Sequence, residues 1–99
     1  FRSAMRVVAI TARPLVVGSD GGAVTGVVKK VASGTAIASG TALHSSSIDF
    51  KGTINTNQSL TLSTTDANLQ LAAGDAIGVD TTGTMTAARG VITLEVVPI

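Results

Sequence analysis

The chain is a succession of short apolar runs separated by residues that favour turns. Val and Ile make up many of the apolar residues and Thr is abundant, and the β-branched side chains of all three suit a pleated sheet. Clusters of Gly, Asp, Asn and Ser follow the runs about every ten residues, as at 19–22 and 55–57. Short strands at such regular spacing are typical of antiparallel all-β domains. The pattern therefore predicts an all-β fold, a small antiparallel β-sandwich or jelly roll of about eight strands.

The alternation of apolar and polar residues and the positions of the turn-forming residues predict the individual strands. We predict strands at 5–11, 23–31, 58–63, 68–71, 76–80, 84–87 and 91–97, with further short strands between Gly34 and Gly40 and from 41 to 50. Proline has no N–H to donate to a sheet, so we expect Pro14 at the end of a strand or on an edge. No segment has the pattern of a helix. The order of the strands within the sheets does not follow from the sequence.

Charge and cysteine content exclude several classes of function. Only 13% of the residues are charged, the net charge is +1, and there is no cysteine. A disulfide framework and thiolate metal sites are therefore excluded. Lys29 and Lys30 form the only adjacent basic pair, which we interpret as the guard of an edge strand rather than a phosphate-binding face. We expect no nucleic-acid partner, and no apolar stretch approaches the ~20 residues of a membrane helix.

The titratable residues offer no convincing catalytic cluster. His44 is the single histidine, and its neighbour Ser45 points to the opposite face of a strand. Ser46 shares a face with His44, but no flanking motif activates its hydroxyl. We therefore expect a solvated or interface histidine and no enzymatic activity.

Metal and sugar sites lack support as well. Asp75 and Asp80 flank one predicted strand and would lie about 16 Å apart, too far to share a calcium ion. We expect such aspartates to cap turns. Sugar-binding sandwiches stack rings on Trp or Tyr, and the chain has neither. The sequence predicts no cofactor, no metal and no small-molecule substrate.

The first six residues, which overlap the start of the first predicted strand, carry an aromatic and two basic side chains. We predict that residues 1–6 form an N-terminal arm and residues 7–99 a single β-sandwich domain. Phe1, Arg2 and Arg6 of the arm are the candidate contacts with a neighbouring protein. The alternative is an N-terminus that is simply frayed.

Two segments resemble those of a known class of proteins. They are 27–41 (VVKKVASGTAIASGT) and 71–80 (LAAGDAIGVD), the latter followed by Thr82-Gly83-Thr84. Together they resemble the small jelly-roll structural proteins of tailed bacteriophages, of the capsid decoration (cement) and head-fibre type. In pattern the resemblance extends from about residue 7 to residue 97.

The resemblance implies a non-enzymatic protein of the virion, located on the capsid exterior. It would bind the major capsid protein, often as a homotrimer at local threefold positions, and stabilise contacts between shell subunits. Low charge and β-branched strands agree with a module that docks on protein. Two alternatives stay open: a head-fibre or tail-associated adsorption domain, and a ligand-binding sandwich such as a carbohydrate-binding module.

Overall fold

The computed structural model describes residues 4–17, 22–84 and 86–99. Eight strands form within this part of the chain: β1 (Met5–Val16), β2 (Thr25–Val31), β3 (Thr41–Ala42), β4 (Ile48–Asp49), β5 (Gln58–Ser59), β6 (Gln70–Leu71), β7 (Ala76–Thr82) and β8 (Arg89–Pro98). Single turns of 3₁₀ helix occupy Ile37–Ser39 and Asp66–Leu69. Among these residues no helix is long and apolar enough to cross a membrane.

The strands form two four-stranded antiparallel sheets. In the β1 sheet, β8 pairs with one edge of β1, and the short strands β5 and β6 pair with β1 at its two halves. In the β2 sheet, β7 pairs with β2 along its whole length, and β3 and β4 pair with different parts of the same strand. Each sheet is thus built around one long central strand and has one long outer strand.

The long strands pair in a nested order, β1 with β8 and β2 with β7. The two sheets pack face to face and enclose one apolar core. The prediction of a small antiparallel β-sandwich of about eight strands is confirmed.

The core is made by the alternate residues of the central strands that face inward. Branched aliphatic side chains dominate it, and the short strands and turns contribute the rest. Its buried members are Val7, Ile10, Ala12, Val28, Leu43, Ile48, Leu69 and Leu71. Inward-facing residues of β8, namely Ile92, Leu94 and Val96, pack against this cluster while staying half-buried.

β1 is longer than the sequence predicts. It continues through Pro14 to Val16, and its pairing with β8 is shifted by one residue at two places, between Val7 and Ala9 and between Pro14 and Val16. Each shift is a bulge that leaves one extra residue on β1. The second bulge lies beside Pro14, so a residue that cannot donate to the sheet is accommodated inside the strand.

Other boundaries also differ from the prediction. The segment between Gly34 and Gly40 holds a 3₁₀ turn rather than a strand, and Ala87 lies in a bend with a φ of 59°. Met5 and Arg6, which we assigned to the arm, belong to β1 and pair with Pro98 and Val97. The predicted arm therefore does not include Met5 and Arg6, and Phe1 to Ser3 lie outside the described residues.

One close approach fixes the position of the only aromatic ring in the described chain. Gly26 is buried in the central strand β2, and the ring of Phe50 lies over it. A β-carbon at Gly26 would lie 2.8 Å from Cζ of Phe50 and 3.2 Å from Cγ1 of Val79. The glycine is therefore needed for space at this position.

We expect Gly26→Ala to destabilise the fold by about 1–3 kcal/mol, because the added methyl group forces the Phe50 ring to move. Chemical denaturation of the two proteins measures the difference. In a Phe50→Leu background the same substitution should cost less, since the smaller side chain leaves room. An equal loss of stability in both backgrounds would contradict this packing.

Candidate functional site

The single histidine is a buried structural residue. His44 lies between β3 and β4 with 4% of its surface exposed. Its Nε2 accepts a hydrogen bond from the Val28 backbone N–H at 2.9 Å, and its Nδ1 donates to the carbonyl oxygen of Ser46. The prediction of a solvated or interface histidine is wrong, because the polar ring finds both of its partners inside the protein.

Local topology explains why a histidine stands at this position. β3 pairs with Lys29 and Lys30 of β2, and β4 pairs with Thr25 and Gly26. Between these two strands the chain leaves β2, so the Val28 N–H has no backbone acceptor. The imidazole takes the place of the missing carbonyl. A buried N–H without an acceptor would destabilise the fold by about 1–3 kcal/mol.

At the same point the chain pairs with the segment that follows β5. The Ser45 N–H donates to the Thr61 carbonyl at 2.9 Å, and the Ser63 N–H donates to the Leu43 carbonyl at 2.9 Å. Leu43 also donates its own N–H to the Val28 carbonyl at 3.0 Å. We call the segment 43–45 the junction, since its backbone connects β2 with the chain that follows β5.

The hydrogen bonds of His44 leave it unsuited to proton transfer. Burial lowers its pKa, and the hydrogen bond to Ser46 opposes that shift in part. Its Nε2 lone pair is already occupied by Val28. The hydroxyl of Ser46 accepts from the Thr61 N–H at 3.3 Å and does not face the ring nitrogens. His44 and Ser46 therefore do not form a base–nucleophile pair.

The two adjacent lysines bind internal acceptors on opposite faces of β2. Lys29 Nζ lies 2.8 Å from Asp80 and donates to the Ala38 carbonyl at 3.3 Å. Lys30 Nζ donates to the carbonyl oxygens of Ala67 and Gln70, at 2.8 and 2.5 Å. β2 is the central strand of its sheet, so the interpretation of this pair as an edge guard is wrong. Lys30 instead ties β2 to the turn that precedes β6.

The acidic residues also have separate structural partners. Asp66 forms an ion pair with Arg6 and accepts from Gln70 at 2.9 Å. The Gln70 hydrogen bond and then Arg6 hold the pKa of Asp66 below its ordinary value. Asp75 accepts the Ala72 N–H at 2.9 Å, as a turn-capping carboxylate does. Across 4–17, 22–84 and 86–99, no three metal-ligating side chains come together.

Of the three candidate contact residues, the structure describes only Arg6. Its guanidinium pairs with Asp66 inside the same molecule, which holds it against the 3₁₀ turn. Phe1 and Arg2 lie outside the described residues. The predicted role of the arm in binding a neighbour therefore stays a prediction.

A cavity of about 260 Å³ lies between the outer strands β7 and β8, on the side of the sandwich away from the junction. Its walls are mainly apolar, and we call it the apolar cleft. Among the described residues that line it, Arg13 and Arg89 are the only charged ones. The described lining consists of Ala12, Arg13, Pro14, Val16, Ile48, Phe50, Val79, Thr81, Ala88, Arg89, Gly90, Val91 and Ile92. This described lining can bind apolar groups and includes no carboxylate or imidazole.

Exposed apolar side chains gather where β1 ends. Leu15, Val16 and Ile54 are 39%, 47% and 48% exposed. The Asn55 N–H donates to the Pro14 carbonyl at 2.7 Å and so holds the loop that carries Ile54 against this end of β1. We call these three residues the apolar end. Isolated exposed apolar residues are common on proteins, whereas a group of them marks a binding surface more often.

The sequence contains a signal for the apolar end that the strand prediction did not use. Leu15, Val16 and Val17 are consecutive apolar residues after Pro14. A strand buries only alternate residues, so such a run must expose at least one of them. No comparable signal indicates the apolar cleft, because its walls come from four strands that are distant in sequence.

No protein-family model matches the chain, and no curated protein or solved structure matches it.

The environment of His44 predicts a pH-dependent stability. Its pKa is lower in the folded protein than the ordinary value of about 6.5, so the unfolded chain binds the extra proton more readily. The contribution of the neutral ring is complete above about pH 6.5 and falls as the pH drops toward the lower, folded-state pKa. We expect the free energy of unfolding to decrease from pH 7 to pH 5.5.

Denaturant titrations of the parent protein and of His44→Leu at both pH values test this expectation. The variant should be less stable at pH 7, because the Val28 N–H loses its acceptor, and its stability should change less over the same interval. Equal pH dependence of the two proteins would contradict a neutral, buried His44.

Proposed function

We propose that this chain is a non-enzymatic structural protein of a virus particle, a capsid decoration protein. It binds the outer surface of the shell and stabilises the contacts between major capsid subunits. The observation that carries the proposal is the apolar end, where Leu15, Val16 and Ile54 stand exposed on a protein of very low charge. The resemblance of 27–41 and 71–80 to phage decoration proteins supplies the identity of the partner.

The polar residues support a structural role in a different way. His44, Lys29, Lys30 and Asp66 all form hydrogen bonds or ion pairs that connect one part of the fold to another. They stabilise the sandwich and are not directed into the apolar cleft. The groups left for contact with a partner are therefore exposed apolar side chains and backbone. Such groups favour binding to a protein over catalysis on a small molecule.

Weak attachment of one copy is sufficient for such a role. Three half-exposed aliphatic side chains bury too little area to hold two proteins tightly by themselves. Many identical sites on one shell, engaged by linked copies of the protein, raise the occupancy well above that of a single contact. A decoration protein can therefore have a small docking surface on each copy.

The copy number in purified particles distinguishes decoration from the fibre or tail alternative. We expect hundreds of copies per particle, in a simple ratio to the major capsid protein, measured by quantitative mass spectrometry. Only a handful of copies per particle would instead support a position on a fibre or tail. Its absence from the particles would contradict the virion proposal.

The apolar end itself is tested by adding purified protein to particles that lack it. We expect Leu15→Asp and Ile54→Asp each to lower shell occupancy by roughly tenfold, since each places a charge in an apolar contact. Val97→Asp is the matched control, because Val97 is 42% exposed but lies at the opposite end of the β1–β8 pair. Thermal melting checks that all three variants fold.

Equal losses in all three variants would show that the apolar end is not the docking surface. The same assay tests the arm through a protein that lacks residues 1–3. This deletion is preferable to removing residues 1–6, because Met5 and Arg6 form part of β1. Unchanged occupancy would exclude Phe1 and Arg2 as shell contacts.

A further inference from the structure

β8 is a long outer strand without the usual protection of an edge. Among the described residues it pairs with β1 alone, so its other side presents backbone N–H and C=O groups. The extra residues of both bulges lie on β1, which leaves β8 regular from Arg89 to Pro98. Natural edge strands are commonly blocked by charged side chains (lysine above all), proline or a bulge, whereas β8 has no lysine, Pro98 only at its last position and two charged residues.

The charges on β8 are arranged so that the strand complements itself. Arg89 and Glu95 are its only charged residues, both are exposed, and their even spacing puts them at positions of the strand that share one face. Neither forms an ion pair with another of the described residues. Two copies of β8 paired antiparallel about a twofold axis at Ile92 place Arg89 opposite Glu95 of the partner subunit. The symmetry produces this pair twice.

Other twofold registers do not match the charges. An axis at Glu95 would place two carboxylates opposite each other, and an axis at Arg89 would do the same with two guanidinium groups. Like charges directly opposite each other destabilise a sheet. An axis at Val91 or Thr93 leaves each charge facing an uncharged residue. The register centred on Ile92 is the one that pairs opposite charges across two copies of β8.

The inner face of the same register is complementary in shape. It places Leu94 of the partner subunit opposite Gly90, which has no side chain and lines the apolar cleft. It also places the two Ile92 side chains next to each other at the axis, where each is half-buried in the free chain. The second copy would therefore cover apolar surface at the mouth of the apolar cleft.

We propose that the free edge of β8 is a homodimer interface, in which two β1 sheets join into one continuous antiparallel sheet about a twofold axis at Ile92. The inference does not depend on the proposed role in the virion, since the dimer would form in solution without a shell. It replaces the trimer that the resemblance to decoration proteins implies. A C2 interface of this kind uses one surface on both copies.

Charge exchange tests the pairing of Arg89 with Glu95. Sedimentation equilibrium of the parent protein should give the mass of a dimer. We expect Glu95→Arg to raise the dissociation constant by roughly tenfold or more, because both pairs become repulsive. The double variant Arg89→Glu/Glu95→Arg should restore the dimer, since it exchanges the charges and keeps their complementarity.

The absence of cysteine from the chain allows a second test of the register. Residues directly opposite each other in antiparallel strands have Cα atoms about 4.5–5.5 Å apart, within the range of a disulfide. Ile92→Cys should therefore crosslink to its own copy under mild oxidation. Thr93→Cys is the matched control, because its Cα would lie roughly 8 Å from its symmetry mate, too far for a disulfide.

These experiments distinguish the possible outcomes. A monomer at all concentrations, or the mass of a trimer, would overturn the proposal. A dimer that Glu95→Arg does not weaken, or that the double exchange does not restore, would overturn the β8 interface. Equal crosslinking of the two cysteine variants would overturn the register. Melting curves of the variants confirm that each is folded, and none of these results bears on shell binding.

Discussion

The junction at 43–45 is the constraint on which the two-layer structure depends. Here the chain leaves β2, and its backbone begins to pair with the segment that follows β5. Where the chain turns away from β2, the Val28 N–H is left without a backbone acceptor. His44 resolves this problem with one side chain that accepts from Val28 and donates to Ser46. The core side chain Leu43 can then stay fully buried between the layers.

The alternation of apolar residues was sufficient to predict the fold class but not the partners of each strand. β7 and β8 begin and end within two residues of the predicted positions, because their alternation is clear. The sequence predicts an end of β1 at Thr11, because Pro14 follows shortly and a bulge cannot be recognised in the sequence, whereas the strand continues to Val16. The short pairs formed by β3 to β6 depend on contacts with distant segments, and local pattern does not contain that information.

The candidate sites illustrate the same limit. Sequence alone found the residue types that could do chemistry, but the hydrogen bonds of His44, Lys29 and Lys30 are created by tertiary structure. A pair of solvated lysines and a pair bound to internal acceptors have the same sequence. The apolar end could have been predicted from the run Leu15–Val17. The complementary charges of β8 could not, because they suggest an interface only once that strand is known to lie on the edge of a sheet.

The nested order of the strands also has a consequence for how the protein folds. β1 and β8 come from opposite parts of the chain, and until β8 has been synthesised β1 has only the short strands β5 and β6 as partners. Sheets that depend on pairing between distant segments fold slowly, because the loop must close before the contacts form. On the ribosome, the edge of β1 that pairs with β8 therefore stays open until β8 has emerged. The sandwich is expected to form late and as one cooperative unit, without a stable intermediate that contains the β1 sheet alone.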